Sequence, residues 1–355
     1  MHPRSVSTAG AEGSSPAAID SLNVRRCGPS RSVGGAGWLT VGHTATWDAA
    51  EEVPEERSNC MRILVAGGTG FIGSAIVRRL AGAGHAVTVL SRRPRPRLAA
   101  VEHLAGDVTD RSTFRGKLAG FDVLVDAAQF PNSPIENPKK GWTFERVDLG
   151  GTKNLVDEAR EAGVHHYIDL SGVGAAPNAR YHWFRCKWEE EQYIAASGLG
   201  YTVFRPSWVY GPGDNSLNRF LSFARFLPFV PVVGNGKMRV NPVFVEDVAA
   251  HVQAAVERGP QNAVFEIGGP EVLTMDDVIR TALRVAGKRR FLLHQPVPLM
   301  KAVAAVAQFL PGRPLTPDAI DFITQDAVAD IGPLRATFGL ELTPLVRALE
   351  TYLRG

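Results

Sequence analysis

Cysteine is scarce in this 355-residue chain. Three occur, Cys27, Cys60 and Cys186, at spacings that suit neither a paired framework nor a metal knuckle. So sparse and odd a count excludes a disulfide-stapled scaffold and suits a reducing compartment, so a cytoplasmic location is expected. Charge of one sign is also lacking. Lys plus Arg number 39 against 36 Asp plus Glu, and a net charge of +3 is too small to argue for a nucleic-acid surface. Long hydrophobic runs are missing too. The strongest, Val297 to Leu310, is too short to span a bilayer, contains Lys301 and lies between Pro296 and Pro311. It reads as an amphipathic or buried helix, with peripheral membrane contact as the alternative. The nine histidines form no ligand pattern: His165 and His166 enter a strand as neighbours and so point to opposite faces. No metal is expected.

The first sixty residues lack hydrophobic periodicity. They are rich in Ser, Gly and Ala and end in acidic residues from Asp48 to Glu56. Such a composition buries little apolar surface and is expected to be disordered. It has no apolar core of a secretory signal. Met61 stands immediately before the first strand, so residues 1–60 are expected to be an extension upstream of the native start, with a transit peptide as the alternative.

What is present is an ordinary globular composition, 45% hydrophobic and 21% charged, long enough for a large core. Its most informative stretch is MRILVAGGTGFIG, Met61 to Gly73. An apolar run, Ile63 to Ala66, leads into Gly67, Gly70 and Gly73, and Ser74 to Leu80 then carries apolar residues at helical spacing. Strand, glycine turn and helix in that order put a helix N-terminus where a pyrophosphate can sit. Gly67 allows the tight turn, Gly70 lets the backbone approach phosphate, and Gly73 lets the helix pack against the sheet.

Further strands are expected at Ala86 to Leu90, Asp122 to Val125 and His166 to Leu170, with a helix from Glu145 to Gly163. Alternation of this kind predicts a doubly wound parallel sheet covered on both faces. Gly67, Ser91, Ala127 and Ser171 all follow strand ends and converge on one crevice. At the end of the second strand stand Ser91, Arg92 and Arg93, where an acidic residue would select a free ribose hydroxyl. Guanidinium groups suit a 2′-phosphate, so NADP is favoured over NAD. Pro94, Arg95, Pro96 and Arg97 continue that segment as a loop.

The spacing Gly-x-x-Gly-x-x-Gly, with Thr69, Phe71 and Ile72 between and beside the glycines, resembles the fingerprint of the extended and atypical short-chain dehydrogenase/reductase superfamily. The resemblance continues in Gly106-Asp107-Val108, in the small residues Ala127 and Ala128, in Thr152 to Val156, in Arg205-Pro206-Ser207 with Val209-Tyr210-Gly211, and in Asn241 to Val248. It covers about residues 61 to 355. It is similar in particular to the group containing the nucleotide-binding accessory subunit of respiratory complex I, and to NmrA-like and epimerase-like proteins. The resemblance implies that Asp107 and Val108 touch the adenine, that Ala127 and Ala128 leave room for ribose, and that Pro206 and Ser207 back the nicotinamide. Asp247 is expected to cap or orient the following helix.

In this superfamily a Tyr-x-x-x-Lys pair on one helix face carries the acid–base step, helped by a serine at the preceding strand end. Ser171 and Lys187 match the serine and the lysine, which would also hold the nicotinamide ribose. The residue four before Lys187 is Trp183, whose indole N–H does not titrate usefully. Tyr181 is six before, about 240° around an ideal helix. It could serve only if the helix began late or were distorted there.

The dinucleotide-binding domain is expected at residues 61–210 plus about 237–267, and a small, mainly helical substrate or lid domain at about 211–236 and 268–355. In the lid, Pro228 to Val233 reads as an apolar loop, Asp276 to Ala286 as a capped helix, and Asp318 to Ala329 as another helix. Phe220, Phe223, Phe226, Phe229 and Met238 are better suited to core packing than to a substrate pocket. Three functions follow: an NADP-dependent oxidoreductase on an unidentified small molecule, a non-catalytic nucleotide-binding assembly factor or redox sensor, and a sugar-nucleotide epimerase or dehydratase. The missing tyrosine argues most against the last.

Overall fold

The computed structural model describes residues 60–93, 101–310 and 315–353. The first strand, β1 (Arg62–Ala66), is buried over its last four residues. It runs into α1 (Phe71–Gly82), whose Ala75, Ile76, Val77 and Leu80 face the core at the spacing read from the sequence. Ile76, Val77 and Leu80 each contribute roughly 1.5–3 kcal/mol by leaving water. The chain continues through β2 (Ala86–Ser91), β3 (Glu102–Ala105) and β4 (Val123–Asp126). It then forms α2 (Gly150–Ala162), β5 (His166–Leu170), α3 (His182–Ala196) and β6 (Gly200–Pro206).

A two-residue β7 (Val209–Tyr210) leads to α4 (Leu217–Phe226) and β8 (Phe229–Val233). After β9 (Arg239–Val240) and β10 (Val243–Phe244) the chain returns to the main body through α5 (Val245–Arg258) and β11 (Ala263–Ile267). The remainder is β12 (Leu273–Thr274), α6 (Met275–Val285), β13 (Phe291–Gln295), α7 (Val297–Ala307), α8 (Pro317–Ile323), α9 (Gly332–Phe338) and α10 (Leu345–Leu353).

Seven strands form one parallel sheet in the order β11-β6-β5-β4-β1-β2-β3. Strand order reverses between β1 and β4, so a crevice opens there beyond the strand C-terminal ends. The expected doubly wound sheet is present. One face is covered by α1 and α5, with Ile76, Leu80, Val248 and Val252 in the core. The other is covered by α2 and α3, with Leu155, Val156 and Ile194.

Several expected elements differ. Pro228 to Val233 is not a loop: Phe229 to Val233 is a strand in parallel register with Phe291 to Gln295. Its alternating half-buried and buried residues explain why an apolar run without polar partners reads ambiguously. The helix expected from Asp318 to Ala329 ends at Ile323, and the chain then extends so that Ala327 bridges Val240. The helix read from Glu145 begins with a π-turn, Phe144–Leu149, ahead of α2. Asp247 lies in the first turn of α5, but its carboxylate accepts from Thr343 N and Oγ1 at 2.7 and 2.8 Å, so it ties down the C-terminal segment rather than capping its own helix. The capped helix beginning near Asp276 is present, with Thr274 and Asp277 forming a reciprocal capping box.

The run Val297 to Leu310 is mostly exposed rather than buried: Leu299, Val303, Val306, Phe309 and Leu310 all face outward, and only Ala304 of α7 is buried. Among the described residues no helix is long and apolar enough to cross a membrane. Phe226 is exposed, Phe229 packs on Phe291 at 5.7 Å, and Met238 lines a groove of about 690 Å³ with Lys237, His294 and Asp326. Cys186 is buried and free.

Candidate functional site

The glycine turn is built by the backbone. Gly67 has φ of +71°, and a Cβ there would stand 2.3 Å from the Ala127 carbonyl oxygen. A Cβ on Gly73 would stand equally close to the Gly67 carbonyl oxygen. Both contacts are too short for any side chain, so only glycine permits β1, β4 and the start of α1 to meet. Gly70 N donates to Gly67 O at 2.8 Å and Gly70 is the N-cap of α1. No side chain caps that helix and its first turn, with Phe71, Ile72 and Gly73, holds no acid. The N-terminal amide groups that every helix leaves unpaired therefore meet the crevice without a protein anion before them. Thr69 is half-buried in the same turn.

At the end of β2, the Ser91 hydroxyl donates to Arg93 O and lies 2.9 Å from His103 Nε2. This turn leaves Arg92 and Arg93 exposed, and neither makes an ion pair among the described residues. Arg95 and Arg97, with Pro94 and Pro96, lie outside the described residues. Asp107 uses one carboxylate oxygen to hold its own turn through Thr109 N and Oγ1. Val108 packs on Gly151 and its carbonyl accepts from Asn154, which fixes the β3 exit against α2. Ala127 and Ala128 follow β4 and are half-buried beside Gly67.

On the other side of the crevice, the helix carrying Lys187 does begin late. Tyr181 is its N-cap rather than a helical residue, and its ring stacks on Trp183 with centroids 4.6 Å apart. Trp183 is 3% exposed, in a cluster with Phe130, Phe144 and Cys186. Phe322 of α8 closes over it at 5.6 Å, and the indole Nε1 has no hydrogen-bond partner. The position four before Lys187 is thus filled by packed aromatic surface.

Lys187 is also buried, and its ammonium is occupied. Nζ lies 3.0 Å from Asp148 Oδ1 and 2.9 Å from Glu190 Oε2. Asp148 reaches it from the π-turn and Glu190 from the next turn of α3. Asp126 at the end of β4 and Asp169 in β5, paired in register, complete the group. Asp126 accepts from Ala128 N, Thr152 Oγ1 and Tyr167 OH. Burial raises all four carboxyls above the ordinary range, and Asp148 reaches about 6. Lys187 moves up instead, because Asp148, Glu190 and Asp169 together outweigh its own burial.

Ser171, at the end of β5, donates to Glu191 Oε1 at 2.5 Å. Glu191 is held in turn by the Arg205 guanidinium through two hydrogen bonds, at 2.8 and 2.5 Å. Pro206 ends β6, and Ser207 donates its hydroxyl to Ala327 O, tying the crevice wall to the C-terminal segment. The structure therefore brings Gly67 to Gly73, Ala127 and Ala128 together, while Ser171 and Lys187 each engage an acid from α3.

The acids around Lys187 are the residues that motif reading missed. A signal was present: Asp126 and Asp169 interrupt two otherwise apolar strands at aligned places. Asp148 gave none, because the π-turn that turns it inward has no sequence signature. Among the described residues no group of three or more His, Cys, Asp or Glu could hold a metal ion.

A family model described as NAD(P)H-binding matches residues 67–222, and one described as the NAD dependent epimerase/dehydratase family matches residues 184–268. The chain is 26% identical to the mitochondrial NADH dehydrogenase [ubiquinone] 1 alpha subcomplex subunit 9 of Arabidopsis thaliana, over 79% of this chain and 73% of that one. It is 29% identical to an NAD(P)H azoreductase of Xenophilus azovorans, over 64% and 74%. Among solved structures, a UDP-N-acetylglucosamine 4-epimerase from Bacillus cereus superposes with a TM-score of 0.64 at 18% identity, over 83% of this chain and 100% of that one. That last likeness concerns the fold. The glycine turn lies within an NAD(P)-binding domain.

Proposed function

We propose that the chain is an NADP(H)-binding oxidoreductase of the atypical short-chain dehydrogenase/reductase type acting on an unidentified small molecule. The observation that carries this reading is the glycine turn: two positions where no Cβ fits, opening onto an uncapped helix N-terminus. Arg92 and Arg93 favour the 2′-phosphate form because they are exposed at the β2 exit without acidic partners among the described residues.

When bound, the cofactor supplies or accepts hydride. The chain's own residues supply position and charge. Gly67, Thr69, Gly70, Phe71, Ile72 and Gly73 would hold the pyrophosphate, with Ser91, Arg92 and Arg93 at the adenosine ribose and Asp107 and Val108 near the adenine. Ala127, Ala128, Ser171, Lys187, Pro206 and Ser207 would bound the nicotinamide half. Trp183 cannot deliver a proton, so reduction needs one from Tyr181 at the N-cap of the late-starting helix, from Lys187 or its carboxyl partners, or from water. The domain division at residues 61–210 plus about 237–267, with the rest as lid, belongs to this reading, as does a cytoplasmic location.

A second reading is a non-catalytic nucleotide-binding protein. The observation favouring it is that Trp183 is packed under Phe322 while Lys187 is already ion-paired. Binding of NADPH and NADH followed by fluorescence tests the cofactor assignment: equal affinities would remove the argument from Arg92 and Arg93. Turnover of a panel of small carbonyl, quinone and azo compounds by the wild type would discard the non-catalytic reading. Turnover only by Trp183→Tyr would support it.

A further inference from the structure

Four carboxyl groups surround one ammonium beneath the half of the crevice lined by β4 and β5. Asp126 comes from β4, Asp148 from the π-turn, Asp169 from β5, and Glu190 with Lys187 from α3. All five are at least nine-tenths buried. Glu191 is balanced separately by Arg205, which also lies 3.9 Å from Glu266. Glu136, on the approach to the π-turn, pairs with His182 at 2.9 Å. Tyr167 donates to Asp126, and the Cys186 thiol is pushed up to about 12 by its burial and its acidic neighbours. Glu145 and Glu189 add more negative field from the π-turn and α3. Among the described residues, Lys187 is the cation paired with the group.

Such a set cannot be fully ionised out of water, since one ammonium balances one carboxylate. Its hydrogen bonding is incomplete as well. Oδ2 of Asp148, Oε1 of Glu190 and Oδ2 of Asp169 are buried without a hydrogen-bond partner, and Asp148 Oδ1 meets only the Lys187 ammonium, at 3.0 Å. The residues cannot form a metal site. What remains to balance them is protons, and the proton count must follow any charge brought nearby.

In a doubly wound sheet the two ends of a dinucleotide lie on opposite sides of the switch point, and the β4–β5 side takes the nicotinamide. That ring is the part of the cofactor whose charge changes with oxidation state: cationic when oxidised, neutral when reduced. We infer that the buried Lys187–carboxyl cluster reads this charge, so that the protein binds the oxidised cofactor more tightly than the reduced one and releases a proton from the cluster on doing so. The binding step balances as protonated protein plus NADP⁺ giving the complex plus a free proton; no electrons move. One unit of charge difference, at an effective dielectric of about 20, is worth roughly tenfold in affinity out to ~12 Å. The inference rests on the NADP(H) reading above and deepens it toward a sensor of the oxidised form.

Titration calorimetry of the full chain with NADP⁺ and with NADPH tests it, run from pH 5 to 8 in phosphate and in a second buffer of large ionisation enthalpy. The expected result is about tenfold tighter binding of NADP⁺ above pH 7, an advantage that shrinks toward pH 5 as the cluster fills with protons. Near pH 6, NADP⁺ should release a fraction of a proton and NADPH none. Asp148→Asn, and separately Glu190→Gln in case the first does not fold, should reduce the proton release and narrow the preference for NADP⁺ over NADPH; an unchanged preference and proton release in both would overturn the inference. Equal affinities of the two forms with no buffer dependence would overturn the inference and leave the NADP(H) reading intact. Failure of both forms to bind at millimolar concentration would overturn both.

Discussion

The two halves of the crevice are made of different materials. On the β1–α1 side the working groups are backbone amides, the side chains are mostly absent, and nothing charged is buried. On the β4–β5–α3 side a π-turn brings Asp148 inward, and Lys187 and the acids around it are packed out of water. The first half offers an anion a helix N-terminus and space, neither of which titrates. The second half depends on groups whose charges are mutually conditional, so it responds to pH and to what binds beside it.

The comparison breaks most sharply at Lys187. Lys187→Met should cost roughly 3–5 kcal/mol, because it leaves Asp148 and Glu190 buried without a cation. Adding Asp148→Asn and Glu190→Gln to it should recover most of that loss in urea unfolding. No recovery would mean that the lysine acts through packing alone. On the other side, Gly67→Ala should cost about 2–4 kcal/mol and abolish nucleotide binding, since its Cβ meets the Ala127 carbonyl and its φ is positive. A variant with unchanged Tm would show that the cradle can relax.

A smaller effect sharpens the contrast in pH. Asp148, raised to about 6, binds a proton more readily in the folded chain than in the unfolded one. Its contribution to stability is therefore fully present below about pH 4, and is lost as pH rises to about 6. Asp148→Asn should abolish that fall. The difference between variant and wild-type stability should then grow by roughly 2 kcal/mol between pH 4 and 7. Parallel curves would place the proton elsewhere in the cluster. The glycine half predicts no such slope. Least in size, Arg92→Ala with Arg93→Ala should weaken NADPH binding by about tenfold, near 1.4 kcal/mol, and leave NADH unaffected. Equal losses for both cofactors would remove the 2′-phosphate assignment.

Much of the fold was legible because its signals are local. The Ile63 to Ala66 run, the glycine spacing and the apolar period of α1 each lie within a few residues, and they read as the strand, turn and helix that form. The C-terminal part was read less well. Phe229 to Val233 needs Phe291 to Gln295 as a partner before it is a strand, and that pairing is far away in the chain. The same distance hid the role of Asp247, whose partner Thr343 lies near the C-terminus.

By itself the sequence determined the parallel sheet, the position of the glycine turn and the absence of a tyrosine four before Lys187, because each depends on residue identity at short spacing. Only the tertiary structure decided what Lys187 and Ser171 do. Their partners come from separate elements, Asp148 through a π-turn and Glu191 from α3, and the burial that shifts their protons exists only once those elements have closed around them.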